Sequence, residues 1–316
     1  MTDMRIVFMG TPEFAVASLR ALIENGINVV GVVTMPDKPK GRHQDSLQPS
    51  PVKEYALSVG LPVLQPISLK DPQFIEQLRT LNPDLNIVVA FRMLPEVVWN
   101  LPRLGTFNLH ASLLPKYRGA APINWAIING EAETGVTTFF LKHEIDTGHI
   151  IFQRRLPISE TDDAGSIHDQ LMDMGADLVV ETVRAIAQDA VKPIPQDESI
   201  TYTPAPKIFK DTCRIDWTKS GKQIFNFVRG LSPYPGAWCL LHNGNKQMEL
   251  KLFKTHFQAL EHVLPLGSCH IQGDTLYIAV NGGLLWIDEL QLAGRRRMPT
   301  ADFVRGLQKG VTLVIE

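Results

Sequence analysis

Arg5-Ile-Val-Phe-Met-Gly-Thr-Pro-Glu-Phe-Ala15 is a short apolar run that breaks at Gly10 and passes directly into a helix start. Thr11 is the expected N-cap and Pro12 the first helical residue, where a missing N–H is no loss. An amphipathic stretch from Phe14 to Glu24 follows, and Gly26 stops it. The next segment, Ile27-Asn-Val-Val-Gly-Val-Val-Thr34, is β-branched and continuous rather than alternating, which marks a strand covered on both faces. The pattern then repeats. Ser50-Pro51 opens a helix ending near Gly60, Asp71-Pro72 opens another, and Leu85-Asn-Ile-Val-Val-Ala90 and Gly105-Thr-Phe-Asn-Leu-His110 supply further strands. The expected fold class is α/β, a doubly wound and mostly parallel Rossmann-like sheet.

The texture changes near residue 192. Residues 192–207 carry Pro193, Pro195, Pro204 and Pro206 without periodicity, so a Pro-rich linker is expected between an N-terminal domain at 1–191 and a C-terminal domain at 208–316. Past it come one helix, about Ser220 to Leu231, and short strands at Ala237–Leu241, Glu249–Phe253, Thr275–Val280 and Leu284–Asp288, broken by Gly and Asn turns. Such spacing suggests a small OB-like β-barrel.

Composition agrees with two cores: 316 residues, 44% hydrophobic, exceed what a single core usually serves. Cys213, Cys239 and Cys269 lie far apart with no Cys-x-x-Cys pair, so neither a disulfide framework nor a cysteine zinc site is indicated. His43, His143, His149 and His168 lack metal-ligand spacing, and no metal is expected. With no signal-peptide pattern and no apolar run of spanning length, a cytoplasmic protein without a membrane partner is expected. The net charge of −2 hides a split, with 17 basic and 24 acidic residues in 1–206 against 14 and 9 in 207–316. A positive second half meets either a polyanion or only solvent, and charge alone leaves both open.

In an open α/β sheet ligands sit at the carboxyl ends of strands. The turn after the first strand, Gly10-Thr-Pro-Glu-Phe-Ala15, is not the Gly-x-Gly-x-x-Gly of a dinucleotide site, which removes the main support for a dehydrogenase. The other candidate is Phe107-Asn-Leu-His-Ala-Ser-Leu-Leu-Pro-Lys-Tyr-Arg-Gly-Ala-Ala-Pro122. With strand period two, Asn108 and His110 project from one face. An amide and an imidazole converging on one carbonyl oxygen suit acyl transfer, where charge develops on that oxygen; His110 either donates to it or moves a proton. No serine or cysteine has a paired base, so the nucleophile is expected on a substrate, and Ser112 reads as a turn or positioning residue. Asp146, in Asp146-Thr-Gly148, is the candidate carboxylate, although the same residues taken alone read first as an ordinary Asx-turn.

Asn108-x-His110, Ser112-Leu-Leu-Pro115, Arg118-Gly119 and Asp146-Thr-Gly148 together resemble the signature of the folate-dependent formyltransferase superfamily. Met9–Ala15, Pro36–Arg42 with Pro49–Lys53, Gly119–Ile123 and Gly294–Gly306 resemble its branch acting on aminoacyl-tRNA, and the likeness spans essentially the whole chain. The resemblance implies 10-formyltetrahydrofolate as co-substrate and the α-amino group of methionyl initiator tRNA as acceptor, with Asn108, His110 and Asp146 catalytic. It places folate along Phe91, Arg92, Met93 and Leu94 and against Ser112, Leu113, Leu114 and Pro115. Phosphate neutralisation by Lys38, Lys40, Arg42, Arg118, Arg295, Arg296 and Arg297 is the expected mode of tRNA contact. No obligate protein partner is evident. Two other readings remain: a formyltransferase acting on a glycinamide ribonucleotide or amino-sugar nucleotide, and a non-catalytic RNA-binding protein. The basic insertion at 36–53 and the positive second domain argue against a small acceptor.

Overall fold

A computed structural model describes residues 3–40, 46–197, 199–200, 203–243, 246–307 and 313–316. In chain order its strands are β1 (Ile6–Gly10), β2 (Val29–Val33), β3 (Lys38–Lys40), β4 (Ser46–Gln48), β5 (Val63–Leu64), β6 (Leu85–Val89), β7 (Thr106–His110), β8 (Arg118–Gly119), β9 (Glu133–Phe140) and β10 (Ile150–Pro157). They continue with β11 (Pro204–Ala205), β12 (Ala237–Asn243), β13 (Lys246–Ala259), β14 (Cys269–Gln272), β15 (Thr275–Val280), β16 (Gly283–Leu292), β17 (Met298–Pro299) and β18 (Leu313–Ile315). The helices are α1 (Glu13–Glu24), α2 (Pro51–Ser58), α3 (Pro72–Thr80), α4 (Glu96–Trp99), α5 (Pro122–Ile128), α6 (Ala164–Ala187), α7 (Gly221–Gly230) and α8 (Thr300–Arg305).

The chain divides into two compact units: Met1–Gly119 with Thr134–Leu156 and His168–Pro204, and Ala120–Glu133 with Pro157–Ile167 and Ala205–Glu316. The first is built on a sheet of order β10-β9-β7-β6-β1-β2-β5, parallel from β7 through β5, with β9 antiparallel to β7. β1 and β6 are buried along their whole length, as the unbroken apolar runs require. One face carries Val7, Met9, Val33 and Val88 against Phe74 and Leu78 of α3 and Val98 of α4. The other receives α6, where a Cβ at Gly175 would lie 2.7 Å from Leu109 Cδ2. The doubly wound α/β expectation is met.

Local signals set the helix starts. Ser50 Oγ accepts from Lys53 N at 3.1 Å and Asp71 Oδ1 from Gln73 N at 2.9 Å, each one residue before a proline. The first helix differs from expectation: it begins at Glu13, its N-cap is Pro12 in an extended conformation, and the Thr11 hydroxyl is buried without capping it. The proline ring fixes φ but leaves ψ free, and here ψ 176° holds Pro12 outside the helix.

The second unit is an antiparallel sheet of order β14-β15-β16-β13-β12-β18, closed by the bridge Ser268↔Val314 between its ends. Two register shifts in β13, around Lys254, provide the local bend that closure needs. Leu241, Leu250, Leu252, Ile278, Leu285 and Ile287 fill the interior with Ile224 and Val228 of α7. Helix α7 starts with a complete capping box between Ser220 and Gln223. This is the OB-like barrel that the strand spacing suggested.

Candidate active site

Strand β7 ends at the carboxyl edge of the sheet with Asn108 half-buried and His110 buried. Alternation turns Leu109 towards α6 and directs Asn108 and His110 to the opposite face. Among the described residues, the Asn108 carboxamide makes no side-chain hydrogen bond within the chain, so its donor and acceptor are both open to a ligand.

His110 is fixed by its backbone surroundings. Its Nε2 lies 2.8 Å from Tyr117 O. A carbonyl only accepts, so Nε2 carries hydrogen and donates to it. The other ring nitrogen, Nδ1, lies 4.0 Å from Asp146 Oδ2, with 8% and 12% of the two side chains exposed. That separation is an ion-pair distance beyond direct hydrogen-bond length. Tyr117 itself has φ 61°, a left-handed conformation.

The loop after β7 is tied to β9 and β10. Thr137 Oγ1, directly opposite His110 in the ladder, donates to Ser112 O at 2.6 Å and accepts from Leu114 N at 3.3 Å. Gln153 Nε2 donates to Leu114 O and to Thr137 Oγ1, both at 2.9 Å. Ser112 is fully buried and donates to Lys116 O at 2.7 Å, which occupies its hydroxyl in the turn. Leu114 and Pro115 are buried while Leu113 is half-buried.

Asp146 reaches the site on a tight turn. It has φ 56°, and its Oδ2 accepts from Gly119 N at 3.0 Å. At Gly148 a Cβ would lie 1.5 Å from Phe140 O, so only glycine lets the turn lie against β9. The geometry brings the Asp146 carboxylate to 4.0 Å from His110.

The remaining expected residues are more dispersed. After Ala90, at φ 47°, Phe91 is half-buried, Met93 is 75% exposed, and Leu94 is buried in the core beside Val98. The Arg92 guanidinium donates to Ile67 O at 2.8 Å and to Pro66 O, lies over the Phe91 ring, and has its pKa pushed down by burial. Lys38 is exposed on β3; the side chain of Lys40 and all of Arg42 lie outside the described residues. Arg118 donates twice to Gln196 Oε1, at 3.1 and 2.6 Å. In the second unit Arg295 and Arg296 are exposed, whereas Arg297 pairs with Glu289 at 2.6 Å and stacks 4.3 Å from the Phe253 ring centroid. Among the described residues no group of His, Cys, Asp and Glu is placed to hold a metal ion, and no helix is long and apolar enough to cross a membrane.

Two features escaped sequence reasoning. Gln196 lies in the aperiodic Pro-rich stretch, where no spacing singles it out, yet it contacts the Asp146 turn. The second unit also holds a cavity of about 460 Å³ walled by Lys207, Lys210, Lys251, Phe209, Tyr234 and Trp238. Lysines interleaved with aromatics were the signal there, spread too far along the chain to be seen.

Comparison with known proteins matches these features to one family. Residues 4–183 fit the model for formyl transferase and residues 207–308 that for the formyl transferase C-terminal domain. The methionyl-tRNA formyltransferase of Parabacteroides distasonis is 61% identical over 313 residues, covering 97% of each chain. That of Phocaeicola vulgatus is 61% identical over 311 residues, covering 96% of each. Among solved structures, HypX from Aquifex aeolicus in complex with tetrahydrofolic acid aligns with TM-score 0.64 at 21% identity, over 97% of this chain and 48% of that longer one. The sugar 3N-formyl transferase WlaRD aligns with TM-score 0.65 at 20% identity, over 93% of this chain and 99% of the other; both likenesses are of fold. By the domain models and the near full-length identity, this chain belongs to the formyl transferase family, among the methionyl-tRNA formyltransferases.

Proposed function

We propose that this enzyme transfers the formyl group of 10-formyltetrahydrofolate to the α-amino group of methionine on initiator tRNA, in the cytoplasm. The carrying observation is the reach of His110 Nδ1 to Asp146 Oδ2, 4.0 Å, on the strand face that also presents the uncommitted Asn108 amide. In the transfer, a C–N bond forms between formyl carbon and amine, the bond from that carbon to N10 breaks, and the proton lost by the amine is balanced by one gained at N10. Asn108 donates to the formyl oxygen as it becomes anionic. His110, with Nε2 committed to Tyr117 O, offers Nδ1 for the proton, and Asp146 stabilises the imidazolium that results. An α-amine with pKa near ~7.7–8.0 is partly protonated at neutral pH, so a nearby base raises the attacking fraction. Phe91, Met93 and Leu113 offer apolar surface for the folate ring system, and the exposed thioether of Met93 can move to fit it.

The chain beyond residue 206 supplies what a nucleic-acid acceptor needs. Residues 207–316 hold 14 basic against 9 acidic residues. Within the cavity, Lys207 lies over Phe209 and Lys210 over Trp238, a mixture of charge and ring faces that suits unpaired nucleotides. Incubation with 10-formyltetrahydrofolate and methionyl initiator tRNA should give formyl transfer. Asn108→Ala and Asp146→Ala should each lower turnover by about 10²–10³-fold. Near-normal turnover in both variants, or transfer only to a small amine, would refute the assignment.

A further inference from the structure

We infer that Gln196 is a positioning residue for the reacting centre, acting through the backbone of the Asp146 turn. The inference rests on the reading of Asp146 as the catalytic carboxylate. Gln196 is only 8% exposed, and all the hydrogen-bonding capacity of its side-chain amide is used. Its Nε2 donates to Asp146 O at 2.7 Å and to Gly148 O at 2.9 Å. Its Oε1 accepts from Arg118 Nε at 3.1 Å and Nη2 at 2.6 Å. The amide has one possible orientation, because the guanidinium only donates and the two carbonyls only accept.

These contacts hold the turn where its own conformation does not. Asp146 stands at φ 56°, a left-handed conformation that costs a non-glycine residue free energy even though aspartate tolerates it better than most, so outside contacts help to hold it. Two amide hydrogens grip the carbonyls on both sides of Thr147, while Gly119 N holds the carboxylate end. Gly119 follows Arg118 directly, so one dipeptide grips Asp146 twice: by its backbone at the carboxylate, and by its guanidinium through Gln196 at the turn carbonyls. Gln196 is itself delivered by the reciprocal backbone bridge of Ile194 with Ile150, at 2.8 Å in each direction. The Pro-rich segment is thereby part of the site's framework, and Arg118 acts within it as an anchor.

Gln196→Glu separates this role from simple packing. The substituted carboxylate is isosteric, still pairs with Arg118, and cannot donate to Asp146 O or Gly148 O; Gln196→Leu loses both sets of contacts. Formyl transfer from 10-formyltetrahydrofolate to methionyl initiator tRNA is measured for the full-length wild type, both variants and Asp146→Ala, with thermal melting of each. Gln196→Glu should lose about 10²-fold in kcat, the effect of moving a catalytic group by roughly 1 Å. KM for both substrates should stay within about threefold, because the contact positions rather than binds. Its melting should fall only modestly, since two backbone carbonyls lose their donor while the Arg118 pair remains, with the enzyme still folded at the assay temperature; should Gln196→Leu fail to fold, Gln196→Glu still decides. Wild-type kcat in Gln196→Glu, or a loss lying wholly in KM, overturns the inference. Full activity in Asp146→Ala overturns the underlying reading instead.

Discussion

Substitution of Gly148 by alanine should separate Asp146 from His110 while leaving both side chains chemically intact. The added Cβ would sit 1.5 Å from Phe140 O, 2.7 Å from Phe140 C and 3.1 Å from Phe139 Cδ2. Carbon–oxygen contacts settle at about 3.3–3.6 Å, so the two segments must part by about 2 Å. The strand side is the stiffer: Phe140 pairs with Phe107, and Leu141 N donates to Thr106 O at 2.8 Å. The turn side holds the exposed residues Glu144 and Ile145, so it is the side that moves. Displacing Asp146 by that distance from a 4.0 Å approach removes its influence on Nδ1. Turnover at saturating folate and tRNA should fall at least about 10²-fold. Tritium-labelled methionyl initiator tRNA, with the formylated product separated chromatographically, measures it, and circular dichroism checks the fold. A Gly148→Ala enzyme with wild-type kcat and an unchanged melting curve would falsify the claim that this close approach sets the carboxylate.

Other expectations concern the framework and stability. Thr137→Val keeps the shape of a fully buried side chain but strands Ser112 O and Leu114 N. Unfolding in urea should show a loss of about 2–4 kcal/mol, and a loss near zero would mean the hydroxyl is dispensable. Burial pushes the Cys239 and Cys269 thiols up to about 12 and also raises that of Cys213. Reaction of the buried Cys213 and Cys239 with a thiol-specific disulfide reagent at neutral pH should therefore wait for denaturant, and their rapid labelling in the native protein would contradict this. The backbone N–H of Arg5 and then the Arg103 guanidinium hold the Asp84 carboxyl below the usual range. Because the folded pKa is depressed, this link stabilises above the ordinary value of about 3.9 and is lost as pH falls through the folded one. Asp84→Asn should melt lower at neutral pH and lose less between pH ~4 and ~2, and parallel curves would exclude the link.

What was readable from sequence had a short range. The unbroken apolar runs of β1, β2 and β6, with Ser-Pro and Asp-Pro at the starts of α2 and α3, encode their partners' geometry locally. Asn108 and His110 were visible for the same reason: a period of two is a local property. The Asp146 contact spans the separation from β7 to the turn after β9, and only tertiary structure distinguishes it from an ordinary turn. Gln196 was invisible because a satisfied side chain in an aperiodic segment carries no pattern. Thr11 misled because serine, threonine and proline before a helix read alike, while the actual register depends on one ψ angle at Pro12. Segment 120–133, between strands of the first sheet in sequence, and segment 157–167, between its last strand and most of α6, pack with the second unit. Periodicity reports that α5 is a helix and says nothing of which core receives it.

The reacting centre owes its protonation pattern to backbone more than to side chains. Tyr117 O fixes the hydrogen on Nε2 of His110, and a left-handed φ at Tyr117 is what turns that carbonyl inward. Gly119 N aligns the carboxylate, and the carbonyls of Asp146 and Gly148 receive the amide of Gln196. Each of these groups has a single hydrogen-bonding sense, so none can switch roles when a proton moves on Nδ1. A site that borrows its nucleophile from the acceptor needs such rigidity. On the proposed mechanism its own groups never bond covalently to the reactant, and their advantage lies in being already aligned when charge develops on the formyl oxygen. On that mechanism the fixed donors and acceptors around β7 provide the alignment, and the half-buried Asn108 amide is the part left to meet the substrate.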